Sequence, residues 1–202
     1  MFTAAMIRKH IFNLPQGVIF STRELLIYGT RAAVDQTLYR LVNVGKIIRL
    51  ARGLFIRFFH GMTLPSLTEI AKHKAKAFGR QIICHGRDAA KALGLVNSGK
   101  DKKGNIFAVS GRSSTFRAGD RVVRLEGTSP RKMVLGESKI GAMIRALWHA
   151  GKENLRENIE IATSELRHEE RRQLRQSVGA MPDWIGCFAF SNLNYSNKTH
   201  FR

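Results

Sequence analysis

One turn constrains the first third of this chain more than any other feature. Gly29 suits the left-handed position that ends a helix, and Thr30 can cap a new helix directly after it. Helices joined so tightly must cross steeply, which is the geometry of a helix-turn-helix. Upstream, Ser21 and Glu24 form an S-x-x-E capping box. Phe20 and Leu25 take the flanking positions of a hydrophobic staple, so a helix is expected to begin at Thr22. Downstream, a helix is expected over 31–44, closed by Gly45. KIIRLARGLFIRF then sets β-branched and aromatic residues on both sides of an Arg52-Gly53 turn, which reads as a hairpin. Before the turn, Met6, Ile7, Ile11 and Phe12 recur at helical spacing until Pro15 and Gly17, and a short extended piece covers 18–20. Together these elements make a winged helix-turn-helix over residues 1–60.

With Val34, Leu38, Leu41 and Val42 facing the core, the helix over 31–44 turns Ala32, Ala33, Gln36, Arg40 and Asn43 outward, with Tyr39 at the margin. That face suits a DNA groove. Two alanines permit close approach and can touch thymine methyls, Gln36 carries the donor and acceptor that match adenine, and Arg40 reaches guanine or phosphate. N–H groups around Thr30, with Arg31, suit a backbone phosphate. Arg49, Arg52 and Arg57 would line a basic wing, with Arg52 at its tip as the best candidate for a phosphate or minor-groove contact. For each side chain a plainer role is available: Arg40 can cap carbonyls, Gln36 can face solvent, and Tyr39 can be edge packing.

Charge argues for a polyanionic partner. The 202 residues contain 34 Lys/Arg and 15 Asp/Glu, a formal net charge of +19. Residues 1–60 hold nine basic residues against two acids, and the remainder holds 25 against 13, so the excess is no detachable tail. Hydrophobic content of 44% supports one or two cores. No run approaches the roughly 18 apolar residues of a membrane span. The opening segment places its basic residues inside an amphipathic stretch, unlike a signal peptide, so a cytoplasmic location is expected.

GMTLP at 61–65 reads as a connector, which puts a second domain at 64–202. SLTEIAKHKAKAFGR is helical, with Leu67, Ile70, Ala71, Ala75 and Phe78 as its inner face. RQIIC reads as a strand and DAAKALGL as a helix. NIFAVSG, STFRAG, RVVRLEG and KMVL read as four brief strands of a small antiparallel sheet. KIGAMIRALWHAG returns to helical spacing, and 154–178 is mostly helical. Arg167, Arg171 and Arg175 form a stripe there, interleaved with Glu165, Glu169 and Glu170, as on a solvated helix face. Trp184 is expected to pack the tail back onto the domain. The fold class is therefore α+β: a winged helix-turn-helix followed by a larger mixed domain with a small sheet.

Catalytic chemistry is hard to assemble from these residues. The seven histidines form no HExxH and no metal-like pair, and Cys84 and Cys187 are far apart, outside any CxxC motif. Asp88, Asp101 and Asp120 are candidate metal-binding carboxylates with no unifying spacing. Cys84 and His85 are adjacent, but strand neighbours point to opposite faces. GRSSTFRAGD reads as a hairpin loop that could hold a phosphate. No catalytic residue, metal or cofactor is expected.

LPQGVIFST, TRAAVDQTLYRLVNVGKIIRLARGLF, CHGRDAAKALGL, AVSGRSSTFRAGDRVVRLEGTSPRKMVL and the closing MPDWI together resemble the AbiEi-type abortive-infection antitoxin and transcriptional-regulator family over most of the chain. The tail after Gly186 departs from it. The resemblance implies a winged-helix autorepressor that binds inverted repeats in double-stranded DNA upstream of its own operon. It also implies a carboxy-terminal domain that counteracts a nucleotidyltransferase-like toxin. Carried over by position, Arg31, Gln36, Arg40, Arg49 and Arg52 are the implied DNA-contacting set. The alternatives are a stand-alone winged-helix regulator with a ligand-sensing or oligomerising second domain, and an RNA-binding factor. Repression through a palindrome needs two winged helices, supplied by a dimer or by two monomers.

Overall fold

A computed structural model of the chain describes residues 2–96 and 105–187, and its class is mixed α and β. The expectations for Asp101, His200 and the tail beyond Cys187 lie outside the described residues. The chain divides into two compact units. Unit 1 comprises 1–82 and 113–125, and unit 2 comprises 83–112 and 126–202. Unit 1 thus contains all of 1–60 together with a further helix and two further strands. Among the described residues, no helix is long and apolar enough to cross a membrane.

Unit 1 begins with α1 (Phe2–Asn13), β1 (Ile19–Ser21), a 3-10 helix (Glu24–Tyr28), α2 (Arg31–Asn43), β2 (Ile47–Ala51) and β3 (Leu54–Arg57). The Ser21–Glu24 box forms as expected: the Ser21 N–H and Oγ both donate to Glu24 Oε1, at 3.2 and 2.7 Å. It opens a 3-10 helix, however, not an α-helix from Thr22. Gly29 has an extended backbone, φ 163°, in place of the expected left-handed one. Its missing side chain serves close approach, because a Cβ there would lie 2.4 Å from Thr3 Cγ2. Thr30 caps α2 by accepting from the Ala33 N–H at 3.4 Å. The end of α2 is a Schellman motif: Lys46 N–H donates to Leu41 O and Gly45 N–H to Val42 O, with Gly45 at φ +66°.

Apolar spacing converges on one core in which Ile7, Ile11, Phe20, Leu25, Val34, Leu38, Leu41, Ile47 and Phe55 are buried. Met6 and Phe12 stay exposed, so the inner face of α1 is narrower than expected. α3 (Leu67–Ala77) starts at a second capping box, Ser66–Glu69, and buries Ile70, Ala71 and Ala75, while Phe78 lies outside. β6 (Ser114–Ala118) and β7 (Arg121–Thr128, the part to Leu125 being in unit 1) complete the unit. The strand order is β1-β3-β2-β6-β7 and each neighbouring pair is antiparallel. The expected small, separate sheet is therefore corrected: two of its strands extend the hairpin's sheet through Ala51 and Ala118.

Unit 2 is mostly helical. α4 (Gly86–Ala92) follows β4 (Ile82–Cys84), and β5 (Asn105–Ser110) precedes α5 (Pro130–Met133), α6 (Lys139–Ala150), α7 (Leu155–Thr163) and α8 (His168–Gln176). KMVL, expected as a strand, falls across the end of α5, because Pro130 at the first position and Ser129 before it favour a helix start. Ile144, Leu147, Ile159, Leu174 and Ile185 centre the unit's core, and Trp184 packs against it as expected. The Arg167–Arg175 stripe is partly structural. Arg171 donates to Leu166 O and Thr163 O, which caps the end of α7.

Candidate nucleic-acid interface

α2 presents its polar face as the apolar spacing requires. Thr30, Arg31, Ala32, Gln36, Arg40 and Asn43 are exposed, Ala33 is half-buried, and Tyr39 stands out at 66% exposure. Arg31 is already engaged, donating from Nε to Asp35 Oδ2 at 2.8 Å one turn along the helix. Both groups are exposed, so a phosphate can compete for the guanidinium at small cost.

The three arginines expected on one wing separate. Arg57 turns to α1: it donates from Nη1 to Phe12 O at 2.8 Å, and its guanidinium lies 5.5 Å from the Phe12 ring centroid. That side chain caps α1 and covers an exposed ring. Arg49 and Arg52 instead line a groove of about 710 Å³ within unit 1, joined there by Lys74, Arg80 and Arg117. These five cations come from β2, the hairpin tip, α3, the segment after α3, and β6. No carboxylate lies among the lining residues.

Packing holds these charges together. The Lys74 ammonium donates to Arg52 O and lies 5.2 Å from the Phe78 ring and 5.8 Å from the Phe116 ring. Burial is the main reason its pKa falls below the ordinary lysine value, and the charges of Arg52 and Arg49 add to it. Arg80 Nη1 donates to Ser114 Oγ at 3.2 Å. Phe78, expected on the inner face of α3, is 54% exposed, with the Arg23 guanidinium 4.9 Å and the Lys74 ammonium 5.2 Å from its ring centroid.

A cleft with cations, the exposed Phe78 ring and the half-buried Phe116 ring can hold a phosphate backbone and offers flat apolar surface to a base or sugar. Sequence reading found Arg49 and Arg52 and missed Lys74, Phe78, Arg80, Phe116 and Arg117. Lys74 and Phe78 are one helical turn apart, a weak signal, while their meeting with β6 depends on a strand pairing that no local pattern announces. Gln36, Arg40 and the other α2 residues do not line the groove.

Among the described residues, no group of three or more His, Cys, Asp or Glu side chains could hold a metal ion. Cys84 is half-buried, and burial pushes its thiol pKa up, away from a reactive thiolate.

No curated protein and no solved structure matches this chain. A family model does match, over residues 6–174, thus covering most of α1, the groove and most of unit 2: the chain belongs to the family of unknown function DUF6088.

Proposed function

We propose that unit 1 is a winged helix-turn-helix that binds duplex DNA and that the protein acts as a transcriptional regulator. In this reading α2 enters the major groove with Gln36 and Arg40 toward base edges. The 3-10 helix Glu24–Tyr28 takes the place of the first helix of the motif, and the β2–β3 hairpin is the wing. The observation that carries the reading is the groove beside the hairpin, where five cations meet with no carboxylate among the lining residues. Such a cluster is self-repelling in the free protein and is relieved by a phosphate backbone.

The test is selection of bound sequences from a random duplex pool, followed by anisotropy titration of the winner and a scrambled duplex at two salt concentrations. Enrichment of an inverted repeat, with a specificity ratio on the order of a thousand or more, supports an operator-binding regulator. Tight, sequence-blind binding overturns it.

The exposed Phe78 favours a second reading, in which the groove takes single-stranded nucleic acid by stacking. A single-stranded competitor that displaces duplex at equal concentration selects that reading. The autorepressor and antitoxin form of the regulator, with a nucleotidyltransferase-like toxin as partner, follows from the family resemblance. Its test is whether co-expression relieves the toxicity of a neighbouring gene product.

A further inference from the structure

We propose that unit 2 carries a binding site for a phosphate group, free or as the monoester end of a larger molecule, built around the buried Arg145. A cavity of about 190 Å³ is lined there by Arg145, Lys132, His85, His149, Thr128 and Glu126, among others. A water occupies about 30 Å³, so the space exceeds the need of one bridging solvent molecule.

Arg145 is the anomaly that points to an anion. It is only 3% exposed. Its Nε donates to Cys84 O at 3.2 Å and its Nη1 to Gly136 O at 2.8 Å, while Nη2 is buried with no hydrogen-bond partner. Burial lowers its pKa, and the partly compensating influences are those of Cys84 and Glu137. A buried guanidinium with two carbonyl partners and no paired carboxylate lacks the compensation that such a charge ordinarily requires. An oxyanion supplies both the charge and the missing acceptor.

The neighbours suit the same ligand. A Cβ at Gly86 would lie 2.7 Å from Arg145 O and 3.2 Å from His149 Cβ, so glycine is what lets α4 press against α6. That contact sets the His85 and His149 rings 6.0 Å apart, edge to face. His85 Nδ1 accepts from the Arg87 N–H at 3.2 Å, which leaves the ring proton on Nε2. Lys132 sits 4.6 Å from the Trp148 ring centroid, at the cavity wall. Thr128 adds a hydroxyl. Glu126, whose Oε1 is 3.8 Å from His85 Nε2, opposes a dianion and matches a phosphate that retains one proton. Two permanent cations, two imidazoles and one carboxylate make a site selective for a small protonated oxyanion.

The experiment is a titration of the full chain with inorganic phosphate, at constant ionic strength, in a Trp184→Phe background so that Trp148 alone reports by fluorescence. A saturable change is expected, weakened on the order of tenfold or more in Lys132→Ala and His149→Ala. It should remain intact in Arg52→Ala/Arg117→Ala, which separates this site from the groove of unit 1. Arg145→Lys is expected to lose binding as well, but the proposal does not depend on its folding, because Lys132 and His149 are at the cavity wall. A signal that tracks ionic strength alone, or saturation that survives both Lys132→Ala and His149→Ala, overturns the proposal.

Discussion

The Lys74 ammonium donates to the main-chain carbonyl of Arg52 at 2.5 Å, tying α3 to the tip of the β2–β3 hairpin. This bond makes the hairpin tip part of a groove wall and keeps a third cation beside Arg49 and Arg52. Arg52→Ala keeps that carbonyl and removes the charged side chain beyond Cβ. It is therefore expected to weaken all duplexes alike and to reduce the slope of log affinity against log salt by about 0.9 if one phosphate contact is lost. Arg117→Ala should act similarly. Salt titrations with unchanged slopes for both variants would remove the groove from the interface.

Gln36→Ala acts on a different quantity. It removes an exposed amide that, in the proposed reading, faces base edges, so it should relax preference at one base pair, at a cost of about 1 to 3 kcal/mol, and leave the salt slope alone. Binding-site selection repeated with the variant checks this. A uniform loss across sequences would mean that α2 does not present Gln36 to base edges.

Gly86→Ala is expected to destabilise unit 2 by about 1 to 3 kcal/mol, since the added methyl meets main chain that cannot swing aside. Gly29→Ala offers a contrast, because its methyl meets the Thr3 side chain. The double variant Thr3→Ala/Gly29→Ala should recover much of the loss seen in Gly29→Ala alone. Urea unfolding of the three variants measures both effects, and a Gly86→Ala protein as stable as the parent would mean that α4 and α6 can separate freely.

His85 gives a pH dependence of definite sign. Burial, the largest influence, lowers its pKa below the ordinary 6.5, with His149 and Arg87 adding to the effect and Glu126 and Asp88 opposing it. As pH falls through 6.5, the unfolded chain takes up a proton that the native protein resists. Stability is therefore fully present above 6.5 and declines below it. Urea unfolding at pH 7.5 and 5.5 should show a larger acid loss for the parent than for His85→Asn. A smaller loss in the parent would instead make His85 a charged partner of Glu126.

Local signals in the sequence were legible where local physics decides. The Ser21–Glu24 box, the Thr30 cap, the Gly45 stop and the buried positions Val34, Leu38 and Leu41 all follow from spacing and capping chemistry. Three readings changed where partners distant in sequence decide. Gly29 answers to Thr3, Phe78 to the cations around it, and Ala51 to a strand partner at Ala118. The same limit hid most of the groove, since Lys74 and Arg117 become neighbours only when β2 pairs with β6. Arg145 was hidden differently: within KIGAMIRALWHAG nothing distinguishes a buried arginine from a surface one.

Unit 1 is finished by residues 113–125, which leave the ribosome after 83–112 have already emerged. Until they arrive, the nascent chain carries β2 with one edge unpaired, a template for association with other chains. A premature stop within 83–112 would therefore remove Ser114, Phe116 and Arg117 from the groove while leaving every residue of 1–60 in place. The groove of unit 1 can form only after residues 83–112 of the other unit have been made.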